Sequence, residues 1–137
     1  MYHLVWVPKY RKRVLKGAIA LRLQHLFYEA ALINRWWIEE LKILSNHVHM
    51  LIQIKPSEPV ADVVQALKGG TSRLIRKEFP ELDEFLWGES FWADGYFAET
   101  IGAQDYATVK NYIRENQESM PQWNERKPRA LARGGFT

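Results

Sequence analysis

The chain has 137 residues, 47% of them hydrophobic and 13% aromatic, which is enough for one well-filled core and too little for two ordinary domains. It contains no cysteine, which excludes a disulfide framework, a thiolate metal site and a cysteine nucleophile. No apolar stretch approaches the roughly 20 residues that span a bilayer, and no apolar leader is evident, so we expect a cytoplasmic protein without a membrane partner.

The net charge of +3 is modest, but the basic residues are clustered. Three groups contain most of them: Lys9, Arg11, Lys12, Arg13 and Lys16; Lys68, Arg73, Arg76 and Lys77; and Arg126, Lys127, Arg129 and Arg133. Such groups, with aromatic residues nearby, suit a polyphosphate backbone, which is bound largely through the release of its counterions. A solvated surface explains the same clusters equally well.

The first predicted elements are a strand and a helix. Residues 2–7 are rich in aromatic and β-branched side chains and stop before Pro8, which predicts a strand followed by a basic loop. Over residues 18–34, apolar side chains recur at spacings of three and four, which predicts an amphipathic helix. Its expected buried face carries Ile19, Leu23, Leu26, Ala30 and Ile33.

A hairpin and a second helix are predicted next. Residues 36–44 and 47–54 have the composition of strands, and the short turn between them, Ser45-Asn46, is typical of an antiparallel hairpin. Ser57 is placed to cap the following helix, which we expect to end at Phe79-Pro80.

The last predicted elements are a fourth strand over residues 91–100 and a third helix over residues 105–117. In that helix Tyr106, Val109 and Ile113 are expected to face inward. Periodicity is lost after Ser119, so we expect residues 119–137 to form a basic, flexible tail.

The predicted order, β-α-β-β-α-β followed by a helix, is the split βαβ arrangement of an α+β fold. In this arrangement two helices cover one face of a four-stranded antiparallel sheet. We expect the other face to be free for ligands.

The sharpest local motif is His47-Val48-His49 inside the predicted third strand. Side chains two residues apart stand on the same face of a strand, with Cα atoms roughly 6.5 Å apart, while the residue between them points the other way. Both imidazoles can therefore reach one metal ion, with Val48 in the core. A pair of surface histidines is the alternative interpretation.

A second candidate is Tyr112 on the third predicted helix. A residue four positions further along lies one turn away on nearly the same face, so Asn116 is expected beside Tyr112, with Gln117 rotated away from it. An amide oxygen is a reasonable ligand for a hard divalent cation, and a tyrosine next to that cation would face a bound phosphate. The alternative is a tyrosine that merely packs at the helix edge.

These motifs occur in the order of a known family. The chain resembles the small single-strand insertion-sequence transposases, the IS200-like, single-tyrosine HUH endonucleases. The matching segments are Tyr2-His3-Leu4-Val5-Trp6 with Lys9-Tyr10-Arg11, Asn46-His47-Val48-His49-Met50-Leu51, Ala66-Leu67-Lys68-Gly69, Leu86-Trp87-Gly88 and Tyr112-Ile113. The resemblance covers roughly residues 2 to 118 and identifies residues 1–118 as a catalytic domain. The family's ferredoxin-like or RRM-like sheet agrees with the predicted strand order.

The resemblance implies a metal-dependent endonuclease that cuts and rejoins hairpin-bearing single-stranded DNA through a 5′-phosphotyrosine. By position, His47 and His49 match the metal-binding pair and Tyr112 matches the nucleophile. The family usually has glutamine four residues after the tyrosine as third ligand, whereas this chain has Asn116 there and Gln117 one residue later. The expected cofactor is a divalent metal, Mg²⁺ or Mn²⁺.

The resemblance also implies a homodimer, in some members with the tyrosine helix of one chain completing the histidine site of the other. For contacts with the DNA backbone we expect Lys9, Arg11, Lys12, Lys68 and Arg73.

Other functions share parts of this pattern. An RRM-like binding module would stack aromatic side chains on RNA bases and leave the histidines incidental. A domesticated relative would process chromosomal palindromic repeats with the same site, and replication initiators or relaxases share the histidine motif but are typically larger. A structural metal site would need more ligands than two histidines and one amide.

Overall fold

Four strands and four α-helices are found in residues 1–115, the part of the chain that this computed structural model describes. The strands are β1 (Tyr2–Trp6), β2 (Trp37–Leu44), β3 (His47–Gln53) and β4 (Phe97–Thr100). The helices are α1 (Gly17–Asn34), α2 (Val60–Glu78), the single turn α3 (Asp83–Leu86) and α4 (Tyr106–Glu115). None of the helices in this part of the chain is long and apolar enough to cross a membrane.

The strands form one antiparallel sheet in the order β2-β3-β1-β4. The strand that comes first in the sequence therefore lies in the interior, between β3 and β4. This order is the one expected of a ferredoxin-like β-α-β-β-α-β fold, so the predicted fold class is confirmed.

One face of the sheet lies against α1 and α2 and forms the main core. Because side chains alternate along a strand, Leu4 and Trp6 of β1 share this face with Val48, Met50 and Ile52 of β3, and all five are fully buried. Across from them lie the buried residues of the two helices, among them Leu23, Phe27, Val64, Leu67 and Ile75.

The opposite face of the sheet carries the histidines and is only partly open. Helix α4 packs across it, and Ile113 is fully buried there in a small apolar cluster with Leu51 and Ile101. The expectation of a free second face is therefore wrong where α4 covers it.

A bulge in β2 determines which of its side chains point to each face of the sheet. The pairing register with β3 shifts between Ile38 and Glu40, so that Ile38 lies opposite Ile52 and Glu40 opposite Leu51. After this shift Leu41 packs against the main core, whereas Lys42 lies opposite His49 on the α4 side. The bulge thus places charged side chains where they can contact α4.

Several local predictions are wrong for identifiable reasons. Ile33 is 72% exposed, because it lies about 200° around α1 from the buried Ala31. Ser57 does not cap α2; Pro59 occupies the N-cap position, and no side-chain hydrogen bond caps it. The fourth strand begins only at Phe97, because Gly95 adopts a positive φ of 83° and interrupts the extended backbone.

Candidate active site

The histidine pair lies on the face of β3 that α4 partly covers. The ring centroids of His47 and His49 are 4.9 Å apart, and Val48 between them points into the main core. Both histidines are fully buried, which contradicts the alternative of a surface pair. The predicted placement of two imidazoles on one face is confirmed.

The residue before the pair orients the first imidazole. His47 Nδ1 lies 2.8 Å from Oδ1 of Asn46 in the hairpin turn. An amide oxygen only accepts, so Nδ1 of His47 donates and its Nε2 keeps a lone pair. Metal binding through Nε2 needs this tautomer.

The second imidazole is held neutral. Burial, followed by the charges of His3, His47 and Lys42, lowers the pKa of His49 to about 2. Burial also lowers the pKa of His3 to about 4. The imidazole of His49 is therefore uncharged at neutral pH, as metal binding requires.

The residues present fit a metal, although they do not complete a site. His49 Nε2 is buried, and no described residue offers it a hydrogen bond. A buried acceptor without a partner costs about 1–3 kcal/mol, a cost that a metal ion would remove. Within residues 1–115 no three His, Cys, Asp or Glu side chains are placed to share one ion, and the predicted third ligands, Asn116 and Gln117, lie outside the described residues.

Tyr112 of α4 lies against the buried imidazoles of its own chain. Its ring centroid is 5.8 Å from that of His49 and 6.3 Å from that of His3, in edge-on contacts. The side chain is nevertheless 44% exposed, so it is accessible to a substrate. The structure thus brings Tyr112 and the histidine pair together, as the spacing in the sequence could not by itself predict.

Polar contacts with β2 fix the helix that carries Tyr112. Tyr106 donates a 2.8 Å hydrogen bond to Glu39, the residue at the bulge, and Lys110 donates to the Tyr106 hydroxyl. Near the other end, Lys42 Nζ donates to the backbone carbonyl of Arg114, at 3.0 Å. These contacts hold α4 at both ends.

The basic loop after β1 lies at the same end of the sheet as His47. Leu15 N donates to the Ser45 carbonyl and Arg13 to the Ser45 hydroxyl, which anchors the loop to the turn before Asn46. Arg11 and Lys12 are exposed.

The other predicted DNA contacts have different surroundings. Lys9 is half-buried and pairs with Glu89 at 3.7 Å, and Arg73 is exposed on α2. Lys68 is only 6% exposed, and its Nζ donates to the carbonyl oxygens of Ala93 and Gly95. This burial contradicts the expected exposure of Lys68 to a DNA backbone.

Two residues that contact the histidine pair were missed as site residues. In the sequence His3 and Asn46 belong to a predicted strand and a predicted turn and to the motifs of the family resemblance, and neither was assigned a role in the site. Asn46 directly precedes the candidate ligand His47, and this position could have indicated a role in the site. His3 contacts His49 only because β1 and β3 pair in one register, which the sequence pattern does not give.

Comparison with known proteins identifies the family. Residues 1–116 match the family model described as "Transposase IS200 like". The chain belongs to this family of transposases, and membership makes it a DNA-cleaving enzyme of a kind that generally uses a divalent metal.

Individual relatives agree with this assignment. The chain is 32% identical over 117 residues to the ISDra2 transposase TnpA of Deinococcus radiodurans, covering 85% of this chain and 84% of that protein. It is 28% identical to the transposase of insertion sequence element IS200 from Salmonella typhimurium, covering 85% of this chain and 76% of the relative.

Solved structures show the same fold. A putative transposase from Deinococcus radiodurans superposes with a TM-score of 0.68 at 30% identity, covering 86% of this chain and 91% of that one. A REP-associated tyrosine transposase bound to a REP hairpin superposes with a TM-score of 0.54 at 15% identity, covering 82% and 62%. The second likeness is one of fold alone.

Proposed function

We propose that this transposase cuts and rejoins single-stranded DNA at hairpin-bearing element ends through a covalent 5′-phosphotyrosine on Tyr112. The observation that carries the proposal is the contact of the half-exposed Tyr112 ring with the buried, neutral His49. The exposed tyrosine and the buried imidazole with an unsatisfied nitrogen are the two groups that the proposed reaction needs side by side.

His47 and His49 would hold a divalent metal, Mg²⁺ or Mn²⁺, with Asn116 or Gln117 as third ligand. Asn46 already fixes the tautomer of His47 that such binding needs. When bound, the ion supplies positive charge to the phosphate oxygens as negative charge develops on them.

In the proposed reaction the Tyr112 oxygen attacks the scissile phosphorus after its proton is removed. A new bond from phosphorus to the tyrosine oxygen forms and the bond to the 3′ oxygen breaks, leaving that oxygen as a 3′-hydroxyl after it takes up a proton. The phosphodiester energy is kept in the phosphotyrosine. Another 3′-hydroxyl can therefore reverse the step and join new ends without an external energy source.

For the DNA backbone we propose contacts by the exposed Arg11 and Lys12, with Lys9 beside them and Arg73 on α2. The loop that carries the first three lies at the same end of the sheet as His47, which places positive charge close to the proposed site. Because a transposase of the same fold is described bound to a REP hairpin, we extend hairpin binding to this chain. We also propose a homodimer, as the family resemblance implies.

The test is formation of a covalent protein-DNA adduct with labelled single strands taken from the DNA that flanks the gene, in Mn²⁺ or Mg²⁺. We expect an adduct that disappears with a chelator, with Tyr112→Phe and with His47→Ala. The adduct is resolved on a denaturing gel.

Matched controls are available in the chain. Tyr28 on α1 has the same 44% exposure as Tyr112, and His25 is an exposed histidine on the same helix, so Tyr28→Phe and His25→Ala should leave the adduct unchanged. DNA binding without any adduct from the wild-type protein would refute the proposed phosphotyrosine intermediate on Tyr112. Activity restricted to chromosomal palindromic repeats would favour a domesticated relative.

A further inference from the structure

His3 connects the histidine pair to an acidic residue on the neighbouring strand. In the sheet His3 of β1 lies opposite Glu99 of β4, and its imidazole stacks on that of His49 with ring centroids 5.3 Å apart and planes 16° from parallel. His3 Nε2 is 3.1 Å from His49 Nδ1, and His3 Nδ1 is 3.8 Å from Glu99 Oε1. The His3 side chain is itself almost fully buried.

The sequence of contacts from Glu99 through His3 to His49 determines which ring nitrogens carry a hydrogen. A neutral imidazole has one donor nitrogen and one acceptor nitrogen, whereas a carboxylate only accepts. The negative charge of Glu99 favours the hydrogen of His3 on Nδ1, which leaves His3 Nε2 as an acceptor. His49 Nδ1 must then donate to it, and His49 Nε2 keeps its lone pair.

We propose that His3, polarised by Glu99, is a positioning residue that holds His49 in the tautomer able to bind a divalent metal. This inference rests on the proposed function, since it assigns His3 to the metal site used there. Asn46 acts on His47 in the same way, so each histidine of the pair has its own hydrogen-bond acceptor. Loss of such an outer partner typically costs about 10–100-fold in metal affinity.

The first test measures the tautomer directly in metal-free protein labelled with ¹⁵N in its four histidines. We expect the spectrum of the wild-type protein to show the hydrogen of His49 on Nδ1 and none on Nε2. In His3→Phe, which keeps an aromatic ring but removes the acceptor, a share of the hydrogen should move to Nε2. A hydrogen on His49 Nε2 in the wild-type protein would overturn the proposal whatever the variant does.

The second test measures Mn²⁺ affinity by calorimetry or by the EPR signal of free Mn²⁺, without DNA. We expect His3→Phe to weaken Mn²⁺ binding about 10–100-fold and His3→Gln, whose amide oxygen can still accept, to restore most of the affinity. His25→Phe removes an exposed histidine and should leave the affinity unchanged. Equal affinities of the wild-type protein and a folded His3→Phe variant would also overturn the proposal.

The two tests separate this inference from the proposed function. If the wild-type protein forms the adduct but His49 has the other tautomer, only the role of His3 is wrong. If the wild-type protein does not bind Mn²⁺ or Mg²⁺ at all, the metal site of the proposed function is refuted, and the metal-positioning role of His3 falls with it.

Discussion

Lys68 joins helix α2 to the backbone segment before β4. Its ammonium group donates hydrogen bonds of 2.8 and 2.9 Å to the carbonyl oxygens of Ala93 and Gly95, at the point where the chain turns into the strand. Two carbonyls that lie outside the sheet thereby gain a donor. Lys68 is thus a structural cross-link between two elements.

The buried ammonium of Lys68 makes stability depend on pH. Burial, opposed by Asp94 and assisted by Lys9, lowers the pKa of Lys68 from 10.5 to about 8. Between pH 8 and 10.5 the unfolded chain therefore binds more protons than the folded one, and the contribution of Lys68 to the free energy of unfolding rises with pH in this window. Below pH 8 that contribution is at its least favourable and stays constant.

We expect the wild-type protein to gain stability relative to Lys68→Met as pH rises from 8 to 10.5. Urea denaturation across this range measures the difference. Lys77→Met removes an exposed lysine from the same helix, and its free energy of unfolding should change with pH as that of the wild-type protein does. If the difference in free energy of unfolding between the wild-type protein and Lys68→Met stayed constant over this range, the lowered pKa of Lys68 would be contradicted.

At the residue scale, strand periodicity in the sequence predicts on which face of the sheet a side chain lies. Alternation along one strand placed His47 and His49 on one face, and the structure agrees. The burial of Lys68 could not be predicted this way, because its partners are carbonyl groups 25 and 27 residues away. A basic residue in a cluster looks the same in the sequence whether it faces solvent or a backbone carbonyl.

Helix α4 has a single fully buried residue, Ile113. Ile113 is buried against Leu51 and Ile101, the half-buried Tyr106 and Val109 pack beside it, and polar contacts with β2 complete the attachment. Such an element can open without unfolding the sheet. The position of Tyr112 therefore depends on a few contacts.

We expect Ile113→Ala to weaken the attachment of α4 by about 2–5 kcal/mol, because it empties a fully buried position. Hydrogen exchange should then become faster in α4 but not in β1 or β3, and adduct formation should slow. Leu32→Ala on α1, at an apolar residue that is 80% exposed, is the control and should change neither. Equal protection of α4 in Ile113→Ala and the wild-type protein would show that the burial of Ile113 does not hold the helix in place.

At the element scale, the predicted helices and hairpin correspond to structural elements, because their periodicity extends over many residues. The fourth strand was predicted six residues too early. Phe91 and Trp92 are apolar and buried like strand residues, but they are held by an isolated bridge to Pro8 and by packing in the core. Burial and strand pairing produce the same apolar run, so composition cannot separate them.

At the scale of the whole molecule, one chain contains both the histidine pair and the tyrosine that contacts it. If this arrangement is the active one, each protomer of a dimer combines its own tyrosine with its own histidine pair. A mixture of Tyr112→Phe and His47→Ala chains should then form no adduct, since neither chain has both groups.

The outcome for the opposite arrangement is distinct. If α4 of one protomer completed the site of its partner, a mixed dimer would contain one intact site and adduct formation would be restored. Co-expression with two affinity tags, followed by tandem purification, provides the mixed dimer for this assay. Recovery of adduct would refute assembly within one chain.

The strand order of the whole sheet was predictable because the predicted element sequence admits few topologies. The coverage of the second face by α4 was not predictable in this way. The pattern of Tyr106, Val109 and Ile113 predicts a buried helix face, but it does not indicate which surface of the protein that face covers. The bulge in β2, which aligns Glu40 and Lys42 with α4, also lacks a sequence signature.

The interior position of β1 has a consequence for how the protein is made. The strand synthesised first pairs with strands that begin 45 and 95 residues later in the sequence. Because these contacts are long-range, we expect the pairing of β1 to be a slow step in folding. His3 meets His49 only after β3 has paired with β1, and Tyr112 joins them from the last described helix. If the proposed function is correct, a nascent or partly folded chain has no assembled site, and it can cut DNA only when folding is nearly complete.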